Sequence, residues 1–339
     1  MPSDPSTAPR AMSYLRILAQ GLAPATSAPD VVEAVRRQLA MQGQQVSAIP
    51  HALILRADGA RRADVEAAFA AGRLVRSWPM RGTVHITTAA DHHWLRVALM
   101  HRTDAWTRRS EEYLGLTEAV LSRAADIALD AIAAGGPRSR AALVEAWERE
   151  GLMTSTDSDA ASFLRVLLVR LQREGILVQG PRYGNEHLVV DARNLPGAQT
   201  GPGGSDGGAH GTGGHRAALA EIARRYATSH GPIDATDLSR WTTLPVSECA
   251  RALEDAVETT NAADYRVDPA AARVPLARAR AEGGLRGTVT LLDGPPTRAN
   301  RGRVLYLRAD LPELLEAHAR AAARTLFLPS FDELHVGYK

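Results

Sequence analysis

Between Gly197 and Gly214 the chain reads GAQTGPGGSDGGAHGTGG, nine glycines in eighteen residues. Such a segment buries too little side chain to offset the entropy of ordering it, so it reads as a flexible linker. It divides the 339 residues into two parts, each of which must bury its own apolar faces. It is a poor phosphate cradle, because no apolar strand feeds it and no G-x-G-x-x-G occurs within it.

On both sides of the linker the same plan recurs. In the first unit, Asp30 caps a helix expected over Val31–Gln42. Ser47–Arg56 continues as a second helix, with Pro50 tolerated in its first turn. Arg62–Ala71 is a third, stopped by Gly72, and Leu74–Thr87 is a β-hairpin turning near Arg81-Gly82. A second unit repeats the pattern. Arg140–Arg149 and Ala160–Glu174 are helices, the latter with Phe163, Val166, Leu167 and Leu171 on one face. Strands Ile176–Val178 and His187–Val190 then flank Gly180–Gly184. After the linker come helices Arg216–Ser229, Ala235–Trp241 and Val246–Val257, with Gly231-Pro232-Ile233 as a short edge between the first two. Strands are expected at Tyr265–Val267, Thr288–Leu292 and Arg303–Leu307, then a helix Leu311–Ala322 and a last strand Thr325–Pro329.

Helices followed by a hairpin, three times over, describe tandem winged-helix domains. The expected fold is therefore mainly α (α+β): tandem winged-helix domains followed by a small C-terminal β-barrel-like domain. The expected boundaries are 1–110, 111–196, the linker 197–214, 215–262 and 263–339.

Composition removes several chemistries. A single cysteine, Cys249, excludes a disulfide framework, a thiolate zinc finger and a four-cysteine iron–sulfur cluster, and suits a cytoplasmic protein. Thirty-nine of the forty basic residues are Arg, and the one lysine is the last residue, Lys339. A P-loop is thereby absent, and so is a lysine Schiff base. No apolar run reaches membrane-spanning length, and the opening residues are not expected to act as a secretory signal. Residues 1–110 carry 14 Arg against 8 Asp and Glu, a surplus of +6 that suits a phosphate surface. Asp91-His92-His93 with His101 matches no common metal-ligand spacing, so neither metal nor cofactor is expected. The five tryptophans, Trp78, Trp94, Trp106, Trp147 and Trp241, read as core anchors, Trp78 doubling as a wedge beside the wing. Arg165 and Arg170 read as a solvated helix face with phosphate contact as the alternative.

Two stretches carry the functional signal. Met41-Gln42-Gly43-Gln44-Gln45 is a cluster of neutral amides at an expected helix end. Trp78–His85, WPMRGTVH, is a basic hairpin. Arg76, Trp78, Arg81, Thr83 and His85 are its candidate DNA contacts; for Arg81, Thr83 and His85 the plainer alternative is a hairpin packed on the core with the Arg exposed. Double-stranded DNA is the expected partner, met by a monomer.

These residues resemble the AlkZ-like winged-helix DNA glycosylases, which include the YcaQ-like bacterial proteins. The family's early block reads roughly Leu-Gln-Ala-Gln-Asp-Pro, and here Met41–Val46 stands in its place. Its next block reads roughly Leu-Val-Arg-Thr-Trp-x-Met-Arg-Gly-Thr-Leu-His, which Leu74–His85 follows almost throughout. Ala227–Leu238 with Arg240-Trp241, and Leu328-Pro329-Ser330-Phe331-Asp332-Glu333, match further. The resemblance implies three winged-helix domains and a small β-barrel in a C-shaped clamp. It implies removal of alkylated purines, including bulky adducts and crosslinks, and a catalytic Gln–aliphatic–Gln signature onto which Gln42 and Gln44 fall. Two positions depart from it. Gly43 replaces the aliphatic residue, which in a helix end costs up to about 1 kcal/mol relative to Ala, and Gln45-Val46 replaces Asp-Pro. Family chains also continue past the final Gly-Tyr, so a barrel lacking its last strands is expected.

The implied chemistry suits amides. Gln cannot deprotonate water, but its carbonyl accepts a hydrogen bond, orients a water and stabilises positive charge on the sugar. That suffices when the leaving base is already cationic, as N7-alkylguanine and N3-alkyladenine are. The alternative is a non-catalytic winged-helix DNA-binding protein or transcriptional regulator, which has no need of the Gln pair.

Overall fold

The computed structural model describes residues 11–99, 105–153, 158–197, 212–262, 265–267, 273–282, 288–294 and 304–338. Most of the Gly-rich stretch, His101 and Arg303 lie outside the described residues, as does the side chain of Trp106. The chain is a mixed α and β protein with small antiparallel sheets.

After helix α1 (Ala11–Ala19) the first unit runs α2 (Val31–Gln38), β1 (Met41–Gln42), α3 (Ile49–Ile54), α4 (Arg62–Ala70), then the hairpin β2 (Leu74–Met80) and β3 (Thr83–Thr88). Asp30 caps α2 through Oδ1, which accepts from the backbone N–H of Val32 and Glu33, each at 2.8 Å. The helix stops four residues earlier than its periodicity predicts. Leu39 takes a left-handed φ of 65°, a conformation that costs a non-glycine residue of order 1 kcal/mol. Complete burial of its side chain offsets that cost. The chain then leaves the helix and Met41 and Gln42 pair with Ile86 and His85 of β3.

Helices α5 (Ala89–Leu99) and α6 (Ala105–Tyr113) lead to the second unit: α7 (Glu118–Gly135), α8 (Arg140–Arg149), α9 (Ala160–Arg173), and the hairpin β4 (Leu177–Tyr183) and β5 (Glu186–Asp191). Its strands are longer than the sequence predicts. The two hairpins join at Arg76–Gln179, forming one five-stranded sheet of order β1-β3-β2-β4-β5.

The third unit comprises α10 (Thr212–His230), α11 (Ala235–Thr242) and α12 (Val246–Thr260). A three-stranded antiparallel sheet follows, of order β7-β6-β8, from β6 (Leu276–Glu282), β7 (Thr288–Leu292) and β8 (Val304–Arg308). β6 was not expected from the sequence. Its Arg-Ala-Arg-Ala alternation is a period-2 signal, with Ala279 wholly buried and Arg278 ion-paired to Glu254 at 2.5 Å. Tyr265–Val267, expected as a strand, is irregular, and so is Thr325–Pro329, whose Phe327 carbonyl instead meets His51 Nε2 at 2.7 Å. Helices α13 (Leu311–Ala322) and α14 (Glu333–Val336) complete the described chain.

A single short edge sits between the first two helices of each unit and pairs with the strands that follow: Met41 with Ile86, Arg138 with Val189, Ile233 with Tyr306. Each unit buries its own core. One surrounds Val35, Phe69 and Ile86, a second Trp147, Leu167 and Leu177, and a third Tyr226, Trp241 and Leu253. Trp94 packs into the third core, so Trp94, Trp147 and Trp241 are core anchors.

Candidate active site

Gln42 and Gln44 do not end a helix. Gln42 ends β1 and Gln44 lies in the bend that follows, with Gly43 between them. The bend brings the two amides together, and Gln42 Nε2 donates to Gln44 Oε1 at 3.2 Å. Gln42 is half-buried and Gln44 exposed.

Gly43 lies between them and is buried. Its N–H donates to the Val84 carbonyl at 2.8 Å. A Cβ built there would stand 3.0 Å from Ile86 Cγ1 and 3.4 Å from Cδ1. The aliphatic residue of the family signature is thus answered by Ile86, whose side chain already occupies the space. The helix-end cost expected for Gly43 does not arise, since no helix is there.

Three of the candidate DNA contacts turn inward. Arg76 is buried, and its Nε donates to the Gly43 carbonyl at 2.7 Å. Its Nη2 reaches the Gln44 carbonyl at 3.4 Å, and its Nη1 donates to Gln179 Oε1. Burial pulls this guanidinium down to about 10. His85 is wholly buried. Its Nδ1 lies 2.9 Å from the Thr83 carbonyl and its Nε2 2.9 Å from Arg81 Nη2. Burial, with the Arg81 charge adding to it, lowers His85 to about 3, so the ring is neutral. Arg81 occupies the hairpin turn with φ 56°, followed by Gly82 at φ 64°. Two positive φ values in succession are what a tight type I′ hairpin turn requires. Its guanidinium leans back to within 6.0 Å of the Trp241 ring, and burial lowers its pKa. Each is held by a neighbouring segment: Arg76 by the Gly43–Gln44 backbone and Gln179 of the second unit, His85 by Thr83 and Arg81, and Arg81 by the approach to Trp241 of the third. Trp78 and Thr83 are half-buried and Gly82 is exposed. Arg170 is tied to Glu111, Glu118 and Glu174 at 2.9, 3.1 and 2.7 Å, which cancels the charge a phosphate would need.

Sequence reasoning assigned no role to the far end of the chain, yet it packs against the Gln segment. Glu333 Oε1 accepts the Gln42 backbone N–H at 2.6 Å. Its Oε2 lies 3.4 Å from both His230 Nε2 and Trp241 Nε1. Burial pushes the Glu333 carboxyl up, but the hydrogen bond to His230 and the Arg81 charge outweigh it and hold it at about 2. Asp332, next to it, takes two guanidinium N–H bonds from Arg56, both at 2.8 Å, with both side chains enclosed. Arg56 also donates to Gln20 Oε1 at 2.6 Å. The available signal was the block Leu328–Glu333, where two consecutive carboxylates follow an apolar run. Among the described residues no cluster of His, Cys, Asp and Glu is suited to a metal ion, and no helix is long and apolar enough to cross a membrane.

The site is thus a pair of neutral amides on an edge segment, held from behind by a buried arginine and a buried carboxylate. The family model "DNA glycosylase AlkZ-like" matches residues 35–339. The chain belongs to the AlkZ-like DNA glycosylase family and is a DNA-binding hydrolase of DNA repair. The solved DNA glycosylase AlkZ of Streptomyces sahachiroi has a similar fold, with a TM-score of 0.61 at 20% identity over 97% of this chain and 76% of that one. No curated protein matches the sequence.

Proposed function

We propose that this glycosylase releases cationic alkylated purines, N7-alkylguanine and N3-alkyladenine, from duplex DNA, bulky adducts and crosslinks included. The observation that carries the reading is the hydrogen-bonded Gln42–Gln44 pair at the surface. With its N–H turned to Gln44, Gln42 keeps its carbonyl oxygen for a water or for the sugar. An amide orients water and stabilises an oxocarbenium-like sugar, but it does not take a proton. Glu333 is enclosed and engaged by Gln42 and the core, so it does not serve as the missing base. The leaving group must then depart unaided, which a cationic purine does by becoming neutral.

The action is monofunctional, because lyase chemistry through a Schiff base needs an amine and the sequence holds a single lysine, its last residue Lys339. The three repeated units serve as tandem winged-helix domains, the C-terminal sheet as a small barrel-like cap, and the protein acts as a monomer without cofactor. Gln42 and Gln44 contact the reacting sugar and water, Trp78, Gly82 and Thr83 meet the DNA, and Arg76, Arg81 and His85 hold the segments that do so.

The test is incubation with duplex carrying N7-methylguanine and with duplex carrying a bulky N7 adduct. Free base above the rate of spontaneous depurination, with strands intact until alkali treatment, is expected. No release from either duplex overturns the reading and favours a DNA binder that lacks turnover.

A further inference from the structure

β1 is two residues long and lies at the sheet edge. The Gly43 N–H points inward to Val84. By the alternation of a strand, the Gln42 N–H points the other way, off the sheet. Left alone there it would be a partly buried donor without a strand partner. Glu333, 291 residues away in sequence, supplies the acceptor at 2.6 Å. Its other oxygen faces the Trp241 Nε1–H donor at 3.4 Å, with His230 Nε2 at the same distance. Only a carboxylate accepts on both sides. An amide at this place would turn its NH2 group toward a donor whichever way it was oriented. The carboxylate is itself fixed, because Asp332 accepts the Leu334 N–H at 2.9 Å and is clamped by Arg56.

We propose that Glu333 is a positioning residue for the Gln42–Gln44 pair, so that a carboxylate from the far end of the chain sets the geometry of the catalytic segment. Its catalytic consequence rests on the glycosylase reading above; its anchoring consequence does not. The Gln42 amides would otherwise swing with a two-residue edge strand, and a displacement of about 1 Å at such a group costs on the order of a hundredfold in rate.

The test is Glu333→Gln, read in three ways. Amide-resolved hydrogen exchange should quicken at Gln42 and its neighbours while the cores of the second and third units keep their protection. Single-turnover base release should fall about tenfold, the scale of one charge-assisted hydrogen bond, with the Kd for DNA unchanged. In a Gln42→Ala background the same substitution should cost almost nothing more, because the group it positions is gone. Should Glu333→Gln unfold, Glu333→Asp keeps the charge, withdraws it by one methylene, and reads the same contact. Unchanged exchange at Gln42, or a loss fully additive with Gln42→Ala, overturns the proposal. If the unmodified protein releases no base but exchange at Gln42 quickens in the variant, the anchor stands and the chemical reading falls.

Discussion

On the proposed reading Gln44 acts in the chemistry and Arg81 in support. Gln44 is exposed, and among the described residues its bonds run through its amide partner and its carbonyl, so Gln44→Ala removes reach without disturbing a core. Base release should slow by about 2–4 kcal/mol in barrier, the range for one preorganised polar contact, while DNA affinity holds. Single-turnover kinetics beside a binding titration measure both. Arg81 behaves oppositely. Its guanidinium meets His85 and leans on Trp241, so it holds the hairpin to the third unit. Arg81→Ala should lower the melting temperature and leave the slope of log K against log salt as it was. A slope reduced by about 0.9 would instead mark a lost phosphate contact.

At the scale of elements, the decisive event is α14 docking behind β1 and α3. Its ionic root is Arg56–Asp332, an ion pair with side chains 1% and 0% exposed. Removing one member of an enclosed pair strands the other charge, at about 3–5 kcal/mol. Asp332→Ala should therefore destabilise the fold by that amount in denaturant titration, where a surface pair would lose less than about 1 kcal/mol. The β1 turn makes a second demand. Gly43→Leu should destabilise unless paired with Ile86→Ala, because both side chains compete for one space. Recovery of the melting temperature in the double variant measures that competition.

Across the whole molecule, buried imidazoles set the response to acid. Burial lowers His85 and His92 to about 3, and His187 to about 4. An unfolded histidine takes its proton near pH 6.5, so between there and about pH 3 the unfolded chain binds more protons. Stability then falls as pH drops through that window, each group adding a slope approaching about 1.4 kcal/mol per pH unit. Glu333 acts in the same sense lower down, since it stays ionised to about 2 while an unfolded Glu protonates near 4.5. Melting temperatures should be level above pH 7 and fall steadily below about 6.5. His92→Leu should make that fall shallower, because both ring nitrogens are enclosed without a hydrogen-bond partner among the described residues. An unaltered slope in that variant would remove His92 from the account.

Local chemistry determined much of this protein. Asp30 and the periodicity behind it start α2, Gly72 stops α4, and Arg81-Gly82 turns the hairpin, because capping, glycine and φ > 0 act within a few residues. The first unit's helices and hairpin were legible for the same reason, whereas α7, the 18-residue first helix of the second unit, was not read. The end of α2 was not, since no Gly or Pro stands at Leu39 and burial of its side chain in the third unit's core decides it. Nor was the inward turn of Arg76, Arg81 and His85. Basic residues in a hairpin read as a DNA face until another unit covers them. Glu333 reached Gln42 only through tertiary structure, because the block Leu328–Glu333 carries no local sign of a partner 291 residues away. Residue types and spacing set which elements form and which groups suit the chemistry. Packing between units decided which of those groups stay exposed and which are buried against their neighbours.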